Sequence, residues 1–297
     1  MRALSERSNP SMSEIRESLF RTPSLYVVAT PLGNLADIGR RAAAVLAQVD
    51  MIAAEDTRHT RHLLDALGIG TRTMAVHEHN EQGAAGEIIR LIESGQHVAL
   101  VSDAGTPAVS DPGARTVARV QEAGLPVVPV PGPSAVISAL SASGLNDPHF
   151  HFHGFLPAKG GARRAALERL REIDATLVFY EAPHRIVEMV DDLVQVFEAG
   201  RQLVIARELT KLFEQIARMP LGEAPAWLAA DSNRCRGEFV VLVSAPPARE
   251  GLPAEAQRVL RLLLDEVPLK TAARLAAEIT GSPRNALYQL ALSLKQD

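Results

Sequence analysis

HVALVSDAGTPAVSDPGARTVARVQEAG, residues 97–124, decides the fold class. It opens on a short apolar run, HVALV, with the composition of a buried strand. A turn of glycine, proline and small residues follows. GARTVARVQEAG then places its apolar positions at helical spacing and stops at a glycine. The same strand–turn–helix unit recurs on both sides. LYVVAT (25–30) runs through PLGN into IGRRAAAVLAQ, a helix that Asp37 is placed to cap. DMIAAE (50–55) precedes TRHLLDAL (60–67), stopped by Gly68, and TMAVHE precedes EIIRLIESG (87–95). PVVPV (126–130) precedes PGPSA. Continuous apolar strands separated by helices predict a mostly parallel sheet covered on both faces.

The second half is patterned differently. ATLVFYE (175–181), QLVIARE (202–208), LFEQIAR (212–218) and EFVVLVSA (238–245) read as strands, with helices over roughly 161–172 and 184–198. Several strands follow one another with no helix between, which predicts a mixed or antiparallel sheet. PGPSAVISALSASGLNDP (131–148) separates the halves. A Pro-, Gly- and Ala-rich link (245–255) leads to a helical tail. There TAARLAAEI ends at Thr280-Gly281, and Ser282 is placed to cap a further helix with Pro283 at its first position. Two short amphipathic helices joined by a glycine turn match a helix-turn-helix. The predicted organisation is a flexible extension (1–23), two α/β domains (24–133 and 134–247) and a helical module (251–297).

Composition narrows the function classes. The chain has 297 residues, 46% of them apolar, with 31 basic against 35 acidic side chains and a net charge of −4. That apolar fraction excludes a disordered chain. Mild acidity argues against an indiscriminate polyanion binder but leaves room for a local basic patch. No apolar run approaches the ~20 residues of a membrane helix, and the N-terminus lacks the apolar middle of a secretory signal. The single Cys235 excludes an internal disulfide framework and a multi-cysteine metal site, so a cytoplasmic location is expected. G-x-G-x-x-G after a strand, G-x-x-x-x-G-K-[ST] and G-x-S-x-G are all absent, which disfavours dinucleotide, P-loop and simple hydrolase chemistry.

Ligands of open α/β sheets bind outside the carboxyl ends of the strands. TPLGN (30–34), SDAGTPAVSDPG (102–113) and PGPSA (131–135) all fall at those ends. Each combines residues tolerant of unusual dihedrals with a proline that fixes the path, giving a rigid loop whose backbone can face a small molecule.

TPLGNLADIGRRA, AEDTRHTRHLL, HEHNE, VSDAGTPAVSDPG, VPGPSA, GFLPAKG, YEAPHRI, ARELTKLFE and GEFVVLV occur in that order across 30–243. This set resembles the tetrapyrrole-methylase superfamily of class III S-adenosylmethionine enzymes. Within it, EDTRHT, YEAPHR and ARELTK resemble the branch that 2′-O-methylates a decoding-centre cytidine of 16S rRNA. The resemblance implies two α/β domains with S-adenosylmethionine in the cleft between them, held largely by backbone. It assigns Pro31, Leu32 and Gly33 to one side of the cleft, Asp103, Ala104, Gly105, Thr106 and Pro107 to the central loop, and Gly132, Pro133, Ser134 and Ala135 opposite them. Phe179, Tyr180, Ala206 and Arg207 would form the second domain's wall. It also implies a homodimer whose partner is 16S rRNA in the 30S subunit.

Methyl transfer to a ribose hydroxyl needs alignment, exclusion of water and help with the proton. Candidates cluster in EDTR, HEHN (His77, His79) and YEAPHR, of which Glu55, Asp56, Arg58, Glu181 and Arg185 are taken as cleft residues. The alternative role for each carboxylate is an ion pair with a nearby arginine. KGGARRAALERLR (159–171) gathers Lys159, Arg163, Arg164, Arg169 and Arg171; cations in the first turn of a helix oppose its dipole, which RNA phosphate contact would explain. Lys270, Arg274 and Arg284 of the tail are further RNA candidates. Ser134 is also placed to cap the helix after it. His149, His151 and His153 alternate along a strand face but lack companion ligands, so no metal is expected. A porphyrinoid methylase and a ligand-sensing DNA-binding regulator are the rival functions.

Overall fold

The computed structural model describes residue 20 and residues 22–77, 80–247 and 252–294. Most of the predicted extension and His79 lie outside these. The chain forms two compact units, one ending at Pro246 and one beginning at Pro247.

The first unit contains two five-stranded sheets. The first sheet is built from β1 (Leu25–Val28), β2 (Met51–Ala54), β3 (Thr73–Ala75), β4 (Val98–Val101) and β5 (Val127–Val130). All its pairings are parallel, in the order β3-β2-β4-β1-β5. Helices α1 (Arg40–Gln48), α2 (Thr57–Ala66), α3 (Glu81–Glu93) and α4 (Ala114–Glu122) connect the strands. Every residue of β4 is buried. Val98 and Leu100 pack with Ile88, Ile92 and Val120, whereas Ala99 and Val101 pack with Val45, Leu46 and Leu64. The period-2 alternation of one strand therefore feeds two apolar layers, each buried leucine or isoleucine contributing about 1.5–3 kcal/mol.

Helix α5 (Ala135–Ser143) follows the first sheet but packs on the second, where Val136 and Ala139 meet Val178, Val204, Ala206 and Val240. That sheet comprises β6 (Phe150–Phe155), β7 (Thr176–Glu181), β8 (Gln202–Arg207), β9 (Gln215–Pro220) and β10 (Phe239–Val243). Its order is β6-β7-β10-β8-β9; only β6–β7 is parallel, so the sheet is mixed. Helices α6 (Gly160–Leu170) and α7 (Ile186–Val196) cover its other face through Leu167, Ile186, Met189 and Leu193. Helix α8 (Ala224–Ala229) adds Leu228 to the same core.

Several boundaries differ from the sequence reading. Asp37 caps nothing: Asn34 Oδ1 accepts from Ala36 N at 3.1 Å and starts a short 3-10 turn, and α1 begins only after Gly39. Helix α3 starts at Glu81, upstream of 87, because Gly83 and Gly86 dilute its apolar period without breaking it. Ser134 occupies the N-cap of α5 but makes no side-chain capping bond.

The second unit comprises α9 (Ala254–Glu266), α10 (Leu269–Thr280) and α11 (Arg284–Leu294) around Leu260, Ala272, Ala273, Ala276 and Leu287. Gly281 takes a left-handed φ of 68° and ends α10. Helix α11 begins one residue later than expected, and the Pro283 carbonyl, not Ser282, takes the first helical bond, from Leu287 N at 3.2 Å.

One buried carboxylate fixes the far end of the 102–113 loop. Glu81 Oε1 accepts from the amides of Gly113 at 3.0 Å, Arg115 at 3.0 Å and Thr116 at 3.1 Å, which satisfies the start of α4. Glu81→Ala leaves these donors without an acceptor and is expected to lower the unfolding free energy by about 2–5 kcal/mol. Glu81→Gln, which keeps a carbonyl oxygen there, should lose less; denaturant titration of the three proteins checks the order.

Candidate functional site

The strand order creates the site. Strands β4, β1 and β5 are adjacent, so the loops after them lie side by side at one edge of the sheet. Main-chain bonds lock the first two: Thr30 N donates to Gly105 O at 2.8 Å and Gly105 N to Thr30 O at 3.0 Å. Thr106 Oγ1 donates to Pro133 O at 3.0 Å and ties in the third. Gly105 has φ of 75°, and a Cβ there would lie 3.2 Å from Leu32 Cδ2. A Cβ on Gly132 would lie 3.0 Å from that of Ala29. Ala108 and Ser110 hold φ of 67° and 68°, a strain of about 1–3 kcal/mol each that only a well-determined loop retains.

These loops form one wall of a cavity of about 350 Å³, within the range of small-molecule sites. Leu32, Ala104, Gly105, Thr106, Ser134 and Ala135 line it from the first sheet's edge. Tyr180, Leu209, Lys211, Phe239 and Val240 line it from the second sheet and its loops. A neighbouring hollow shares Leu32 and Ser134 and adds Asp37, Gly132, Pro133 and Ile137.

Seven of the expected cofactor contacts therefore line the main cavity, Gly132 and Pro133 line its neighbour, and the other seven line neither. Pro31, Gly33, Asp103 and Pro107 are absent from both linings. The Lys211 side chain covers Gly33, where a Cβ would fall 2.4 Å from Lys211 Cγ. Asp103 Oδ1 accepts from Asp56 N at 3.1 Å, and its own amide reaches Glu55 Oε2 at 3.4 Å. Phe179 corrects the reading: adjacent strand residues face opposite ways, and with Tyr180 at the cavity Phe179 is fully enclosed in the core beneath α7. Ala206 is buried against α5. Arg207 donates to Arg236 O at 3.1 Å and Phe213 O at 3.2 Å, so its guanidinium is not a cavity wall.

The catalytic candidates divide similarly. Asp56 caps α2 through Arg58 N at 2.8 Å, and its carboxylate meets Arg58 Nη2 at 2.8 Å on the surface. Those bonds from Arg58 hold the Asp56 carboxyl down to about 2. Burial pushes Glu55 up, with the Asp103 amide opposing and nearby carboxylates reinforcing. Glu55, Asp56, Arg58 and Arg185 are absent from the cavity lining. Glu181 touches it, but its side chain is 0% exposed, so its contribution is main chain. Its Oε1 accepts from Ala182 N at 2.9 Å and lies 3.1 Å from Arg185 Nε, while Arg185 Nη2 donates to Leu156 O at 2.5 Å. This pair ties the YEAPHR turn to the end of β6, the ion-pair arrangement named above as the alternative for these residues.

Arg163 also requires correction. It is 2% exposed, and its guanidinium meets Asp192 at 2.5 Å and Glu188 at 3.2 Å on α7. The cation at the start of α6 is explained by these carboxylates, not by RNA phosphate. Arg164 shares Asp192 at 2.8 Å but remains half exposed. Lys159, Lys270 and Arg284 are exposed, and Arg274 pairs with Glu278 at 2.9 Å. The histidine alternation breaks at a bulge between Phe152 and Gly154, and His153 packs near Phe179 at 5.9 Å between ring centroids. No group of three metal-ligating side chains gathers among the described residues.

Asp111 and Lys211 line the cavity without having been singled out in the sequence. Asp111 lies in the quoted SDAGTPAVSDPG and Lys211 in ARELTK, but neither spacing nor period marks which residues of a loop turn inward.

Residues 24–225 match the profile of the Tetrapyrrole (Corrin/Porphyrin) Methylases, and residues 250–295 match the RsmI C-terminal HTH domain. The chain belongs to the tetrapyrrole methylase family, which uses S-adenosylmethionine. It is 54% identical to ribosomal RNA small subunit methyltransferase I of Pseudomonas aeruginosa over 91% of this chain and 96% of the relative. Identity to the protein of that name from Escherichia coli O157:H7 is 52%, over 90% of this chain and 94% of that one. Uroporphyrin-III C-methyl transferase from Thermus thermophilus, solved in complex with S-adenyl homocysteine, shares the fold with a TM-score of 0.53 at 18% identity, over 74% of this chain and 97% of that one.

Arg163→Ala leaves Asp192 buried without its main partner and is expected to lower stability by about 3–5 kcal/mol. Lys159→Ala, at an exposed position, should change it by less than about 0.5 kcal/mol. Parallel thermal and denaturant unfolding separates the two.

Proposed function

We propose that this chain transfers the methyl group of S-adenosylmethionine to the ribose 2′-hydroxyl of a decoding-centre cytidine of 16S rRNA within the 30S subunit, as a cytoplasmic homodimer. The observation that carries the reading is the cavity between the two sheets, one wall of which is three rigid loops tied by main-chain bonds. Its fit to the cofactor rests on the same loops: at Gly105 and Gly132 the backbone sits where a side chain would crowd Leu32 or Ala29, and the lining is mostly apolar. Ala104, Gly105, Thr106, Ser134, Ala135 and Tyr180 are the residues that would hold it. Once bound, it supplies an electrophilic methyl on a sulfonium.

The protein's own part is to exclude water, orient the hydroxyl and remove its proton. The similarity over nine-tenths of the chain to proteins named for small-subunit rRNA, and the tail's match to an HTH module, favour rRNA over a tetrapyrrole. Lys159, Arg164, Lys270 and Arg284 are the exposed cations assigned to phosphate.

Incubation with labelled S-adenosylmethionine and 30S particles lacking the modification is expected to place one methyl on one cytidine ribose. Transfer to a precorrin-type substrate and none to 30S particles overturns the reading. Lys270→Ala and Arg284→Ala should each weaken 30S binding and shrink the slope of log affinity against log salt by about one.

A further inference from the structure

We propose that Asp111 is the catalytic base that takes the proton of the attacking hydroxyl; the assignment rests on the methyl-transfer reading above. Among the described residues, five titratable ones line the cavity: Asp111, Tyr180, Glu181, Lys211 and Glu238. Four are committed elsewhere. The Glu181 side chain is enclosed with Arg185. Lys211 Nζ is held by Glu208 at 2.9 Å and Glu238 at 2.7 Å; burial opposes its charge, but these bonds prevail and raise it, so it stays an ammonium. Glu238 is 80% exposed and bound to that ammonium. Tyr180 is pushed up to about 12 by burial and by Asp111, against a bond from the Val136 amide, and stays a phenol. Asp111 alone of these is a carboxylate free of a cationic partner.

Its position is fixed from both sides. Upstream, the Thr30–Gly105 bridge anchors the loop; downstream, Glu81 grips the amides of Gly113, Arg115 and Thr116. Ser110, just before it, is held at φ of 68°. The groups that face Asp111 are the Ser102 hydroxyl and the Asp103 carboxylate after β4, Glu55 after β2 and Tyr180 on β7. None is a cation.

The chemistry suits that surrounding. The hydroxyl oxygen forms its bond to the methyl carbon, the carbon–sulfur bond breaks with its electron pair kept by sulfur, and the hydroxyl proton passes to Asp111. A positive sulfonium and a negative carboxylate become a neutral thioether and a neutral acid, and the proton later leaves to solvent. A mostly apolar cavity penalises separated charge and so favours a step that removes it. Burial, aided by Asp103 and opposed by the Ser102 hydroxyl, raises Asp111 above the ordinary aspartate range. The base acts deprotonated, so turnover is lost as pH falls through that raised value, at a higher pH than the roughly 3.9 of a free aspartate.

Asp111→Asn is expected to lower kcat about 10²–10⁴-fold, to leave the Kd for S-adenosylhomocysteine by calorimetry within about threefold, and to erase the acid limb of the pH–rate profile. Asp111→Glu should fold alike, keep the limb and recover part of kcat. The proposal is overturned if Asp111→Asn keeps kcat within about tenfold of the parent, or if its loss of S-adenosylhomocysteine affinity matches its loss of rate, which would make Asp111 a donor-binding group. Failure of the unaltered protein to bind S-adenosylhomocysteine or to methylate 30S particles instead defeats the methyl-transfer reading itself.

Discussion

The reciprocal pair of hydrogen bonds between Thr30 and Gly105 is the constraint from which the site follows. Parallel strands β1 and β4 end at the same edge because their pairing register puts Leu25 beside Val98 and Val27 beside Leu100. Beyond the last strand residues the chains would diverge into their separate helices. The bridge keeps them together for one more step, and Thr106 extends the tie to Pro133 after β5. What results is a wall made of backbone. Side chains there would stand between a ligand and the amides, which is why glycine, alanine and proline occupy these positions.

The second sheet supports that wall with a different balance of forces. Its covering helices are locked together by the buried ion pair of Arg163 with Asp192, and at the sheet's end the buried Arg201 guanidinium donates to the Ser244 carbonyl at 2.8 Å. A buried guanidinium is tolerable only when its donors are all met. Cations used in this way are not available to a phosphate. The basic stretch 159–171 is thus less a nucleic-acid surface than its composition suggests: Arg163 is enclosed, Arg171 is tied to Glu198 at 3.0 Å, and only some of its charges face solvent.

This contrast explains what was legible in the sequence. The strands of both sheets, the parallel character of one and the mixed character of the other, and the three turns at one edge all follow from local signals: apolar runs, glycine and proline. The order β3-β2-β4-β1-β5 does not, because it depends on which helix covers which face. The pairing of Arg163 with a residue 29 positions later is equally hidden from local reading. Phe179 and Tyr180 are a different case. Both were assigned to one wall, yet neighbours on a strand cannot share a face, so alternation alone would have returned Phe179 to the core. Asp111 and Lys211 were missed because a loop has no period from which direction can be inferred.

A backbone wall also decides what side-chain chemistry the cavity needs. Methyl transfer from a sulfonium starts with a full positive charge on the donor and ends with none. A cation aimed at the reacting centre would repel the donor before it helped the acceptor, so a cationic oxyanion clamp of the kind used in acyl or phosphoryl transfer is unsuited here. Lys211, the one ammonium among the described lining residues, is neutralised by two carboxylates. Asp111 lines the same cavity, and Glu55 and Asp103 lie near it outside the lining; burial first, and then the proximity of these carboxylates, pushes Glu55 and Asp111 up. Carboxylates crowded together without cations resist holding their charge in isolation, and they gain from either a sulfonium beside them or a proton delivered to them. The reaction offers both in sequence, first the donor's charge and then the hydroxyl's proton, so Asp111 at the cavity is stabilised at each stage by the chemistry it serves.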